Sequence, residues 1–275
     1  MDYVPVVVLE ESVRIKNSHH SAEEIFDFEI DVLGEPVHFQ ISVERKQAKL
    51  TDIVPTARAI AEKLSLAMVD KLRRNGTIVT CHKGCSSCCN YLVPLSVPEA
   101  FCLREEILAM PEEQARATMQ LFLNSAIRIL DSKFQESDLN ELIHTNTPVQ
   151  TDNLSEWYAG LNLTCPFLSD GICTSYEQRP IACREHLVTG SALLCEAHRV
   201  NEPKVVKMPV NILECVCRLT AELEQSEIEA VMMPLALPWA QENLGRSERT
   251  WPAVTIVKHF VEIIKKATLE LNYQP

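Results

Sequence analysis

The sequence predicts an α+β chain that is mostly α-helical, with a small β-hairpin near the N-terminus and a cysteine-rich core behind it. Three observations carry this. Apolar residues recur with period two between Phe26 and Val43, the spacing of half-buried strands. Glycine is scarce, seven in 275 residues, while Leu, Ala and Glu abound, a balance that favours helices. Four of the eleven cysteines fall within nine residues, Cys81 to Cys89.

In chain order, residues 1–20 alternate weakly and end in Lys16-Asn17-Ser18-His19-His20, whose paired histidines read as solvated surface. Phe26, Phe28, Ile30 and Val32, then Val37, Phe39, Ile41 and Val43, flank Gly34-Glu35-Pro36 and read as a hairpin with one buried face. A helix follows from about Pro55 to Arg74, with proline in its first turn, an apolar stripe from Ala57 to Leu72, and Arg73-Arg74 and Gly76 as stop signals. Ser96-Val97-Pro98-Glu99 is a capping box for a helix over about 97–109. Pro111 with Glu112-Glu113 starts another, to about Phe134. The polar residues 135–153 read as a loop. Cys102, Cys215 and Cys217 read as core, the last two in a segment that is either helix or strand. Met232 to Trp239 is an apolar, proline-interrupted stretch packed over the rest, and a last helix spans about Pro252 to Leu271. The expected division is a hairpin extension over residues 1–50 and a helical cysteine-cluster unit over 51–275, together one globular body.

The run Cys81-His82-Lys83-Gly84-Cys85-Ser86-Ser87-Cys88-Cys89 organises the chain. On a helix these four thiols share a stripe about 100° wide. If Gly84 and the serines break the helix, a knuckle still turns the sulfurs inward. Either way soft, ionisable ligands converge, which predicts metal ligation rather than free cysteines used as small hydrophobes. The chemistry resumes at Cys165, Cys173, Cys183 and Cys195, with turn signals at Pro166 and Asp170-Gly171 and a short helix opened by Pro180. Several thiolates make an anionic site. Arg179 and Arg184 beside Cys183 either offset that charge, by donating hydrogen bonds to sulfur around the cofactor, or form surface salt bridges.

Bulk composition excludes several classes. With 26 basic against 38 acidic residues the net charge is −12, a poor match for nucleic acid. No phosphate-binding glycine motif occurs. No apolar run reaches a membrane span, and the first residues lack the charge and length of a signal peptide. The expected location is the cytoplasm, where abundant, odd-numbered cysteines point to metal or catalysis rather than to structural disulfides.

Cys81…Cys85, Cys88-Cys89, then Cys165-Pro166-Phe167-Leu168, Gly171-x-Cys173 and Tyr176-x-x-Arg179-Pro180-x-x-Cys183-Arg184, together resemble the bacterial YkgJ-like cysteine-cluster family, described as zinc- or iron-chelating. The match spans about residues 78–195. The resemblance implies eight metal-ligating cysteines, which fall on Cys81, Cys85, Cys88, Cys89, Cys165, Cys173, Cys183 and Cys195. One departure stands out: the family pattern is C-x-x-C-x-x-C-C, whereas three residues separate Cys81 from Cys85. A related module occurs in the flagellin lysine methylases, associated with iron–sulfur chemistry, but nothing specific to flagellin or methyl-donor binding is visible here.

Eight thiolates suit two four-cysteine zinc sites or one or two iron–sulfur clusters. Two functions follow: a metal-binding module whose protein partner is unknown, or an iron–sulfur enzyme doing redox or group-transfer chemistry. His82, Glu185 and His186 are the acid–base candidates of the second, though each reads more simply as surface or as support for a ligand. The binding module is favoured, because chelation is what the residues themselves argue for.

Overall fold

The computed structural model describes residues 7–8, 23–132, 148–195 and 204–272, and within them the α+β, mostly helical class holds. The His19-His20 pair and residues 135–147 of the expected loop lie outside the described residues. Strands β1 (Val7–Val8), β2 (Glu23–Val32) and β3 (Glu35–Glu44) form an antiparallel sheet of order β1-β3-β2. Phe28, Ile30 and Val32 on β2 alternate with exposed Asp27, Glu29 and Asp31, so one face is buried and the other solvated.

The turn differs from the expected Gly34-Glu35-Pro36. Val32 pairs with Glu35, which leaves a two-residue loop of Leu33 and Gly34 at φ 54° and 84°. Two successive positive φ values match the twist of a hairpin, and Asp31 Oδ1 accepts the Gly34 N–H at 2.9 Å. Glu35 and Pro36 therefore belong to β3.

The chain continues through β4 (Gln47–Lys49), α1 (Val54–Arg74), β5 (Pro94–Ser96), α2 (Val97–Leu108), α3 (Glu112–Leu130) and α4 (Pro148–Gly160). A loosely structured stretch carries β6 (Leu168–Ser169), β7 (Ile172–Cys173), α5 (Ile181–Glu185), β8 (Val188–Thr189) and β9 (Lys204–Val205). The chain ends with α6 (Ile212–Glu224), β10 (Ala230–Met232), α7 (Ala236–Glu242), α8 (Leu244–Ser247), β11 (Thr250–Pro252) and α9 (Ala253–Asn272).

Two expectations need correction. Residues 148–153, read as loop, belong to α4; farther along this helix Tyr158 is buried in a small cluster with Ile129 and Leu163, and such burial outweighs a polar local sequence. Helix α3 stops at Leu130, short of Phe134. The ambiguous Cys215–Cys217 segment is helical: Asn211 Oδ1 caps α6 by accepting the Glu214 N–H at 2.9 Å, and Ile212, Cys215, Val216 and Leu219 form its buried stripe.

Two large apolar clusters result. The hairpin's inner face packs with Ile60, Leu64 and Met68 of α1, Val216 and Leu219 of α6, and Ile256, Val257, Phe260 and Ile264 of α9. The second cluster joins α2, α3 and α7 through Ala100, Phe101, Phe122 and Ala240, with Phe167 reaching in from the cysteine-rich stretch. A partly buried ion pair between Arg58 of α1 and Glu106 of α2 links them. Among the described residues no helix is long and apolar enough to cross a membrane.

Candidate metal centre

Cys81 to Cys89 is a knuckle rather than a helix. The N–H groups of Cys85, Cys89 and Tyr91 donate to the carbonyls of His82, Ser86 and Cys88 at 3.0, 2.9 and 3.0 Å, so the chain advances by successive tight turns. Gly84, at φ 95°, supplies the left-handed step that L residues rarely adopt. The same device recurs downstream, where Asp170 and Gly171, at φ 50° and 76°, close the two-residue loop between β6 and β7 and set Cys173 opposite Leu168.

The two cysteine segments touch directly. The Cys165 N–H donates to the Cys89 carbonyl at 2.8 Å. Cys81 Sγ accepts the Val188 N–H at 3.3 Å and faces the His186 carbonyl at 3.8 Å. Thr80 N–H reaches the Val188 carbonyl at 3.2 Å, and Val79 bridges to Thr189.

Short as it is, α5 presents Cys183 on a well-anchored platform. Glu99 Oε1 accepts the Ile181 N–H at 2.8 Å, while its other oxygen holds the Ser96 N–H and hydroxyl at 3.1 and 3.0 Å. One fully buried carboxylate thus caps both α2 and α5. Ser65 of α1 donates its hydroxyl to the Arg184 carbonyl at 2.7 Å. Glu185 accepts the Ile212 and Leu213 N–H groups at 2.6 and 3.4 Å and so caps α6; burial pushes its carboxyl up to about 7.

Arg179 and Arg184 direct their hydrogen bonds to oxygen acceptors rather than to sulfur. Both are largely buried and both donate to Glu62 Oε2 of α1, at 2.8 and 2.7 Å. Arg184 also donates to the Arg179 carbonyl at 3.1 Å and to the Glu177 carbonyl, and Arg179 lies 4.1 Å over the Tyr176 ring. They tie the loop to α1 and are not surface bridges. The charge of Arg179 still reaches the sulfurs, lowering the cost of ionising Cys81 and Cys88.

All eleven cysteines are free thiols. Burial raises several of the candidate thiols, and neighbouring thiols add to it. The Cys88 thiol, hydrogen-bonded to Cys89, is pushed up by that bond and by burial. Burial pushes Cys183 up, and Cys165, Cys88 and Cys173 add to it. Burial pushes Cys165 up to about 11, with Cys173 and Cys88 contributing. Burial pushes Cys195 up to about 11 as well, with contributions from Cys88, Cys81 and Cys85; Cys81 is raised by burial, Cys88 and Cys85. Geometry joins the two segments at Cys88 and Cys183, which line one recess, and at the Cys165–Cys89 backbone bond. Cys183 is the exposed member of the eight, yet desolvation dominates its thiol, because its open side borders a recess.

Among the described residues no three His, Cys, Asp or Glu side chains stand in ready metal-ligand geometry. Cys102, Cys215 and Cys217 lie apart in the interior, Cys102 donating to Glu106 at 3.4 Å. His82 is exposed, its Nδ1 bonded to the Thr80 carbonyl at 2.8 Å. Sequence reasoning missed Glu62 and Ser65, which no local pattern marks, and saw Glu99 as a cap for α2 alone. No family model, no curated protein and no solved structure matches this chain.

Proposed function

We propose that this protein binds zinc or iron, the latter as an iron–sulfur cluster or as single ions, through Cys81, Cys85, Cys88, Cys89, Cys165, Cys173, Cys183 and Cys195. The observation that carries the reading is the contact of two sequence-distant cysteine segments, through the Cys165–Cys89 backbone bond, the Val188 N–H on Cys81 Sγ and the cavity wall that Cys88 and Cys183 share. The donor set fits the group: uncrosslinked, partly buried thiols are soft ligands that select zinc, copper(I) and iron–sulfur centres over calcium or magnesium. Burial and mutual repulsion oppose thiolate formation here, and a bound cation is the partner that reverses both. The metal clips the knuckle to the Cys165–Cys195 stretch, which the Cys165–Cys89 backbone bond already aligns. Likeness to the YkgJ-like chelating family supports the same reading. A net charge of −12 favours no nucleic-acid partner, and the thiol-rich composition suits the cytoplasm.

The test is purification without oxygen, followed by an absorption spectrum with zinc, iron and acid-labile sulfide assays. Broad visible absorbance with iron and sulfide identifies a cluster. Near-stoichiometric zinc in a colourless protein identifies a structural site. Protein carrying neither metal overturns the proposal. Because thiols must lose protons to bind metal, loading should weaken as pH falls.

A further inference from the structure

Beside the cysteines lies a cavity of about 320 Å³, at the small end of the range that ligand sites occupy. Cys88 and Cys183 form part of its wall, and Val93, Pro94, Val205 and Leu213 make much of the remainder apolar. Its polar lining is mostly committed already. Asn211 caps α6 through its Oδ1, and the Glu185 carboxylate accepts two backbone N–H groups. His186, held edge-on against the Tyr91 ring with centroids 5.9 Å apart, is different: its Nε2 is buried without a hydrogen-bond partner, an unmet demand inside the protein. Among the described residues that line the cavity there is no Lys or Arg. An anion entering would surrender its hydration beside a carboxylate and two thiols, with no cation among the described lining residues to receive it.

We propose that this cavity binds a small neutral molecule, apolar in body with one hydrogen-bonding group such as a hydroxyl, and brings it against Cys88 and Cys183. The proposal rests on the metal-binding reading for what the guest meets there, but not for the cavity itself. A metal held by these thiols would border the cavity and so lie within reach of the guest.

The experiment uses the full chain, purified without oxygen, and follows the ring carbon–proton NMR signals of His186, assigned by their loss in His186→Gln, because His186 lines the cavity and is not one of the proposed metal ligands. The probes are 1-pentanol and pentanoate, alike in length and different in charge. 1-Pentanol should shift the His186 signals saturably, with pentanoate binding about tenfold weaker. Val205→Trp, at an exposed strand position on the cavity wall, should abolish the pentanol effect with metal content unchanged; Ala182→Phe is the second filling variant if the first misfolds. Equal affinity for both probes, no shift, or a pentanol effect that survives both filled variants overturns the proposal. Metal-loaded protein without the effect sinks the cavity proposal alone, and metal-free protein that retains it sinks the metal reading alone.

Discussion

Phe260 is fully buried in the core that the hairpin covers, whereas from Lys71 to Pro94, through the first four cysteines, no residue is buried. The first region is positioned by apolar area removed from water, a diffuse and tolerant term. The second is positioned by a few specific links: the Cys165–Cys89 bond, the Val188 contact to Cys81, and the grip of Glu62 on Arg179 and Arg184. A segment without its own core needs a cross-link to hold a single conformation. The proposed metal ligation would supply one, and the contrast between the regions can be broken or sharpened in five ways.

Metal removal should show it most strongly, since structural zinc sites contribute on the order of 10 kcal/mol to folding. Chelation is expected to speed amide exchange over residues 80–92 and 165–189 while α1 and α9 stay protected. Identical exchange maps with and without chelator would erase the contrast. Next, Phe260→Ala should cost about 3–5 kcal/mol in urea unfolding, the usual penalty for a buried ring. A loss below about 1 kcal/mol would mean that the hairpin core is not the stable half.

Glu99→Ala leaves the buried Ile181 and Ser96 N–H groups without an acceptor, at about 1–3 kcal/mol each. Metal affinity should fall with it as the platform of Cys183 loosens, and Glu99→Gln, which keeps an amide oxygen, should recover part of the loss. An unchanged affinity would separate α5 from the centre. Glu62→Gln should cost less, about 1–3 kcal/mol, because the pairs are only partly shielded from water. Its discriminating readout is faster exchange at residues 176–186 with the hairpin unaffected.

The smallest effect is at Glu35. Hydrogen bonds from Arg74 and then Lys71 hold its carboxyl down to about 2. A depressed acid stabilises the fold above its unfolded value, about 4.5, and that contribution fades as pH falls toward 2. Melting curves of wild type and Glu35→Gln should therefore differ at neutral pH, converge in acid, and approach each other in high salt because the pair is exposed. Curves that stay parallel from pH 6 to pH 2 would rule out the linkage.

Much of the fold was legible because its signals are local. Period-two alternation marked the hairpin, Ser96 and Glu99 marked the start of α2, and Pro55 with Gly76 bracketed α1 within a residue or two. The hairpin turn was misplaced because Leu33 adopts a left-handed conformation that glycine and proline advertise and leucine does not. Helix α6 was ambiguous because its stripe includes Cys215 and Cys217, which read equally as ligands or as small apolar residues.

The sequence by itself determined which side chains are available for chemistry: eight clustered thiols, two nearby arginines and little positive charge to compete. Spacing also set the expectation that the first four cysteines converge, since turn or helix alike brings near neighbours together. Only the tertiary structure decided that Cys88 and Cys183 line one cavity, that both arginines answer to Glu62, and that Glu99 caps the helix bearing Cys183. These contacts join residues about 80 to 120 positions apart, and no periodicity extends that far. Their partners are chosen by how the cores pack, which depends on shape and burial summed over the whole chain.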